Sequence, residues 1–157
     1  MSRAQALRRA YRLEPHPEGG AFAEAYTANA RLEGGRFAAG SIYFLLEGRE
    51  ISHLHQIDCE ELWYFHEGCG MRVTAIDALG HVESMLLGFD LEAGQRAMIA
   101  LPAGVWFAAE NLDAEGYTFV SCATSPKFRY EGFRLIGRDE LHSRLGENAA
   151  PYEYLIL

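Results

Sequence analysis

From Ala21 onward, short apolar or alternating segments of about five to eight residues recur, separated by turns rich in glycine or acidic residues. This rhythm is typical of a β-sandwich or barrel, because alternating side chains fall on opposite faces of a strand. The segments that predict strands most clearly are AGSIYFLLEG, GMRVTAIDALG, HVESMLLGF and GYTFVSCAT. The pattern therefore predicts an all-β protein. The simplest topology is one in which strands that follow each other in sequence pair antiparallel.

Short helical patterns flank this β region. Residues 3–12 place Leu7 and Tyr11 at helical spacing, and Pro15 ends the pattern. Residues 138–146 begin with acids and end at a glycine, which predicts a second short helix. Because no linker, repeat or shift in composition divides the chain, we expect residues 1–157 to form a single domain.

The composition restricts which classes of molecule the protein can bind. The chain has 14 basic and 22 acidic residues, for a formal net charge of −8. This charge disfavours nucleic acids and anionic membranes as partners, and no apolar run is long enough to span a bilayer. The three cysteines contain no CxxC pair, which fits a reduced, cytoplasmic protein without a disulfide framework.

The last six residues, YEYLIL, are too apolar to extend into water. They are expected to cover either the body of the chain or a neighbouring subunit. We therefore predict a homodimer.

The richest chemistry lies in SHLHQIDCEELWYFHEG, residues 52–68. On a regular strand, His53 and His55 point to the same face. If the chain reverses over QIDC, the returning strand can bring either Glu60 or Glu61 beside these imidazoles. The stretch could hold a metal, bind a substrate through acid–base groups, or form a buried hydrogen bond that joins two strands.

These residues resemble the first motif of the cupin superfamily, a glycine, a His-x-His pair, a glutamate and a closing glycine on two strands of a small barrel. The matching positions are Gly48, His53, His55, Glu61 and Gly68. The distance to the closing glycine favours Glu61 over Glu60 as the motif acid, although the distance from His55 favours Glu60.

The second cupin motif departs from its usual form. PAGVWF, residues 102–107, places Phe107 where the resemblance requires a third metal-binding histidine. Since a divalent transition metal usually takes at least three protein ligands, the substitution argues against a bound metal, and we expect no cofactor.

A narrower resemblance extends over nearly the whole chain. LEPHPEGGAFAEAY, SIYFLLEG, the PxGxWFA segment and VSCATSPKF followed by EGF are similar to a family of small cupins of unknown function. That family's barrel resembles the barrel of the deoxysugar epimerases. The resemblance implies a cupin double-stranded β-helix, or jelly-roll barrel, with short peripheral helices.

The resemblance also implies a site. We expect His55 and Glu61 to be the catalytic pair, since a carboxylate orients an imidazole and raises its proton affinity. The other expected site residues bind the substrate and are His16, Glu18, Ser52, Trp63 and Trp106. His53 is not part of the narrower family pattern, and we expect it to pack or to face solvent.

Three functions fit these residues. The first is a small-molecule-binding protein with isomerase or epimerase activity on a sugar-like or other polar carbonyl compound. The second is a metal-dependent cupin that uses His53, His55 and Glu61. The third is a non-catalytic sensor that binds a metabolite.

Overall fold

A computed structural model describes residues 1–157 and confirms the mainly β architecture. The elements are α1 (Arg3–Tyr11), β1 (Glu14–Pro15), β2 (Ala21–Thr27), β3 (Gly40–Glu47), β4 (Ile51–Gln56), β5 (Glu60–Gly68), β6 (Met71–Ile76), β7 (Val82–Leu87), β8 (Met98–Leu101), β9 (Trp106–Asn111), β10 (Tyr117–Ser125), β11 (Arg134–Leu135) and α2 (Arg138–Leu145). Short 3-10 turns cover Tyr130–Gly132, Gly146–Asn148 and Ala150–Leu155. Each of the four clearest strand patterns corresponds to one strand, namely β3, β6, β7 and β10.

The strands form two antiparallel sheets. A six-stranded sheet has the order β1-β2-β3-β10-β5-β8, and a five-stranded sheet has the order β11-β4-β9-β6-β7. The expectation of purely sequential pairing is therefore wrong. Strand β10 returns late in the chain to pair with both β3 and β5, which places distant segments side by side.

The main core lies between the sheets. Apolar side chains from both inner faces, such as Phe44, Trp63 and Phe107, are almost fully buried there. Burial of such aromatic groups is the main favourable contribution to folding a domain of this size.

The helices cover the outer faces of the sheets. In α1, Ala4 and Leu7 pack against Leu45 and Phe119 of the six-stranded sheet. Leu141 and Leu145 of α2 pack with Leu155 on the outer face of the five-stranded sheet. The apolar C-terminal segment therefore covers the chain's own sheet, and the homodimer stays a prediction. No helix in the structure has the length and apolar character needed to cross a bilayer.

Strand β4 contains an irregularity that determines which of its side chains face inward. Ser52 pairs with Ala109 and His55 pairs with Phe107, so three steps along β4 match two steps along β9. This extra residue is a β-bulge, which interrupts the two-residue alternation of a strand. As a result, Ser52 and His55 are both buried on the inner side, while Leu54 packs in the outer cluster.

Candidate functional site

A cavity of about 270 Å³ is lined by residues of β2, β3, β5 and β10 from one sheet and of β4 from the other. Its ionisable inner residues come from three parts of the chain and are His16, Glu18, His55 and Glu61. Its apolar wall consists of Phe22, Ile42, Phe44, Ile57, Trp63 and Phe128. A concave, mostly apolar space with a few converging polar groups is the usual form of a small-molecule site.

His55 is fixed in orientation by its own strand. Its Nδ1 atom lies 2.7 Å from the carbonyl oxygen of His53, and its ring centroid lies 4.1 Å from that of Phe107. A carbonyl oxygen only accepts hydrogen bonds, so Nδ1 carries a proton and donates it. In the neutral ring the lone pair is then on Nε2. Burial lowers the pKa of His55 to about 4, so the ring is neutral near pH 7.

Glu18 is brought to His55 by the PHPEGG loop, residues 15–20. The backbone N–H of His53 donates to the Glu18 carbonyl at 2.8 Å, and the His53 Nδ1 atom lies 2.7 Å from the same oxygen. Gly19 makes this approach possible, because a Cβ atom there would lie 2.0 Å from the Ile51 carbonyl oxygen. The loop is therefore held against the bulged strand, with the Glu18 side chain buried.

Two groups flank the Glu18 carboxyl. Ser52 Oγ donates to Oε1 at 2.6 Å, while Oε2 lies 3.1 Å from His55 Nε2. Burial raises the pKa of Glu18, although His16 and Ser52 partly oppose this rise. Since Oε2 and Nε2 both carry lone pairs, their close approach favours the state in which one proton lies between them. Glu18 and His55 therefore act as one proton-binding couple.

His16 lies on the other side of Glu18. Its Nδ1 atom accepts a hydrogen bond from the Glu18 backbone N–H at 3.3 Å, which leaves the ring proton on Nε2. The ring packs edge-on against Phe22 with centroids 4.7 Å apart. Burial lowers the pKa of His16, with the nearby Glu18 acting in the opposite direction. His16 is therefore a neutral imidazole whose N–H can donate to a ligand.

Glu61 is the second carboxyl in the cavity. Regular alternation along β5 turns Glu61 inward with 8% of its surface exposed, whereas Glu60 faces solvent. Burial and the nearby Glu18 raise the pKa of Glu61 to about 8. Trp63 and Cys122 lie beside the carboxyl and oppose this rise in pKa, because each can donate a hydrogen bond to the charged form. The Trp63 Nε1–H nevertheless forms no hydrogen bond in the structure. Near neutral pH, Glu61 is mainly protonated and can donate a proton to a ligand.

The structure brings most of the expected site residues together. His16, Glu18, His55, Glu61 and Trp63 all line the cavity. Ser52 lies behind Glu18 and reaches the cavity only through its hydrogen bond to that carboxyl. The partner of His55, however, is Glu18 and not Glu61 as expected from the sequence, since only Glu18 approaches Nε2 within ion-pair distance.

Trp106 does not reach the cavity. On β9, the inner position belongs to its neighbour Phe107, so Trp106 points to the opposite face. It packs with α2, and the Arg144 guanidinium lies 3.2 Å from its ring centroid. This contact stabilises the helix against the sheet, on the side of β9 opposite to the cavity.

The donor set of the cavity does not fit a metal ion. Because of the bulge, the two imidazoles of His53 and His55 do not share a face, and the His53 ring is engaged with the Glu18 carbonyl. Phe107 occupies the position of a third histidine and contacts His55. No group of three or more histidine, cysteine, aspartate or glutamate side chains has an arrangement that could hold a metal.

One wall of the cavity was not predicted from the sequence. Residues 127–130, which follow β10, line its rim together with Glu24. Lys127 pairs with Glu24 at 2.8 Å, and Arg129 pairs with Asp58 at 2.8 Å. The SPKF segment, residues 125–128, was visible as part of the family resemblance, but only the late return of β10 places it beside β2. Cys122 also lines the cavity.

Tryptophan fluorescence should report the ionisation of Glu61. The chain has two tryptophans, and only Trp63 lies beside this carboxyl. We expect the Trp106→Phe variant to show an emission change with a midpoint near pH 8. The Trp63→Phe variant should lack this transition. Equal transitions in both variants would contradict the placement of Glu61 beside Trp63.

Comparisons with known proteins agree with this architecture. The family model described as Cupin superfamily (DUF985) matches residues 5–136. Protein SO0799 from Shewanella oneidensis is 31% identical, with a TM-score of 0.93 over 100% of this chain and 99% of that one. A hypothetical protein from Leishmania major is 27% identical, with a TM-score of 0.89 over 99% of each chain.

More distant similarity concerns the fold alone. Oxalate decarboxylase from Bacillus subtilis is 19% identical, with a TM-score of 0.57 over 90% of this chain and 36% of that one. No curated protein matches the chain. The two packed antiparallel sheets, the full-length structural similarity and the family match lead to one conclusion. The chain belongs to the cupin superfamily, in the family DUF985.

Proposed function

We propose that the protein binds a small carbonyl compound in the cavity and moves a proton at the carbon next to the carbonyl group. The activity would be that of an isomerase or epimerase. The observation that carries the proposal is the 3.1 Å approach of His55 Nε2 to Glu18 Oε2 inside a cavity that also contains Glu61. Proton transfer by a positioned acid or base typically contributes about 10²- to 10⁴-fold in rate.

The Glu18–His55 couple is the base in this proposal. In its deprotonated form, two lone pairs face each other, so uptake of one proton relieves their repulsion. Removal of a proton from the ligand leaves the electron pair of the C–H bond to form a C=C bond, and the carbonyl π electrons move to oxygen. The couple holds the proton until it returns to carbon.

Glu61 is the acid in this proposal. Its raised pKa keeps a proton on the carboxyl near pH 7, and this proton can hydrogen-bond to the oxygen where negative charge develops. The arrangement follows a general pattern, in which two titratable groups in one site are held in different protonation states. Return of the proton from the couple to the same face of the carbon restores the original configuration, whereas the epimer forms when a proton reaches the opposite face.

Exchange of ligand hydrogen for solvent deuterium tests this function. In D₂O, the protein should catalyse exchange next to the carbonyl of a bound ketone, with a bell-shaped dependence of rate on pH. The rate should rise as the Glu18–His55 couple loses its proton. It should fall above about pH 8, as Glu61 loses its own. Binding without exchange at any pH would favour the non-catalytic sensor instead.

A further inference from the structure

The polarity of the cavity wall restricts which carbonyl compound can bind. Aromatic side chains occupy much of the wall, and Phe44 and Trp63 are each 1% exposed. These rings pack edge-on against each other with centroids 5.8 Å apart. Such surfaces favour contact with carbon and hydrogen and cannot replace the hydrogen bonds that a hydroxyl group loses on leaving water.

Most polar atoms inside the cavity already have partners. Both Glu18 oxygens are in contact with neighbouring groups, Oε1 with Ser52 and Oε2 with His55. The Nδ1 atom of His55 donates to a backbone carbonyl. The polar groups that remain are the His16 Nε2–H, the Glu61 carboxyl, which forms no ion pair, and beside that carboxyl the Trp63 Nε1–H and the Cys122 thiol.

The charged groups at the rim are also engaged. Lys127 Nζ donates to Glu24 at 2.8 Å and to Thr27 at 2.6 Å. Asp58 lies between Arg129 and Arg36, at 2.8 Å from a nitrogen of each. The Thr124 hydroxyl, which lines the cavity, accepts a hydrogen bond from a backbone N–H at 2.8 Å. The charged side chains of the rim are therefore largely occupied, and the hydroxyl groups of Ser41 and Tyr130 are the neutral polar groups left there.

We infer that the ligand is a compact, largely apolar carbonyl compound with one polar head, whose oxygen atoms accept hydrogen bonds from His16 and Glu61. This inference rests on the proposed function and narrows its ligand class, because it disfavours the sugar-like compound expected from the sequence resemblance. A sugar would bury several hydroxyl groups against aromatic carbon, where each unpaired hydroxyl weakens binding. The small cavity volume of about 270 Å³ fits one compact ring.

A matched pair of ligands tests the inference directly. Cyclohexanone and its pentahydroxylated analogue, an inosose, share the ring size and the carbonyl and differ in their hydroxyl groups. In a titration followed by NMR, cyclohexanone should bind at least ~10-fold more tightly. The Trp63 indole N–H signal should shift, whereas that of Trp106, outside the cavity, should not. Equal or tighter binding of the inosose, or binding of neither compound, would overturn the inference.

A cavity-filling variant provides a second measurement. Ile42→Trp should fill the space and weaken cyclohexanone binding by at least ~10-fold. Leu79→Trp adds the same group at a site that is 81% exposed, and it should bind normally. If Ile42→Trp does not fold, the Trp63 and Trp106 signals of the unmodified protein still locate the ligand.

Failure of the inference and failure of the proposed function give different results. Preferential binding of cyclohexanone without deuterium exchange would support the ligand class and contradict the proton transfer. Exchange of the inosose at a comparable or higher rate would support proton transfer and contradict the ligand class.

Discussion

Replacement of Glu61 by glutamine is expected to make the protein more stable than the wild type at pH 9, by about 3–5 kcal/mol. The pKa of Glu61 is about 8 in the folded protein, against an ordinary value of 4.5. Below pH 4.5 the carboxyl is protonated in both the folded and the unfolded state. As the pH rises from 4.5 to 8, only the unfolded state loses the proton, so folding becomes less favourable. Glutamine does not ionise and avoids this loss.

Denaturant unfolding at pH 4 and pH 9 measures this effect. The difference in unfolding free energy between the Glu61→Gln variant and the wild type should be small at pH 4 and should reach its full size above pH 8. Glu60→Gln is the matched control, because it changes the same residue type at the neighbouring, exposed position. Identical pH dependence of Glu61→Gln and wild type would show that Glu61 is not buried in the cavity.

Replacement of His55 by glutamine should reduce ketone deuterium exchange by about 10²- to 10⁴-fold. Glutamine is similar in size and can still donate to the His53 carbonyl, so the fold should persist. Glu18→Gln should cause a similar loss, because both changes destroy the same couple. The double variant should then lose little more than either single variant, since residues that act as one unit are not additive.

His81→Gln is the control for this series, because His81 lies at the surface and pairs with Asp77. It should exchange at the wild-type rate. Additive losses in the double variant would mean that His55 and Glu18 act separately. Unchanged exchange in both single variants would remove the couple from the mechanism.

Most strands and both helices could be predicted from the sequence, because local patterns of residues determine them. Alternation within β5 places Glu60 and Glu61 on opposite faces, but the sequence alone left open which of them faces inward, and the structure turns Glu61 inward. The helix boundaries follow from proline, glycine and the acidic first turn of α2. The strand order could not be predicted in the same way, since the pairing of β10 with β3 and β5 depends on contacts far apart in the chain.

Most of the residues predicted for a site line the cavity, but their pairings were not predictable. The bulge in β4 arises from its register with β9, and regular alternation gives no sign of it. Without the bulge, His53 and not Ser52 would share the inner face with His55. The PHPEGG loop reaches β4 through a backbone hydrogen bond from His53 to Glu18, a contact between residues 35 positions apart in sequence. The sequence therefore predicted Glu61 as the partner of His55, whereas Glu18, predicted to bind the substrate, lies beside the imidazole in the structure.

The central claim is that the Glu18–His55 couple and a protonated Glu61 share one buried cavity. The pH at which each of the two carboxyls ionises is its most direct test. Side-chain carbon-13 NMR of glutamate-labelled protein, with signals assigned from Glu18→Gln and Glu61→Gln, follows each group through a pH titration. Glu61 should titrate near pH 8, and Glu18 should also titrate above its usual range. Titration of both carboxyls near pH 4.5, as for glutamates in water, would contradict a buried acid–base site.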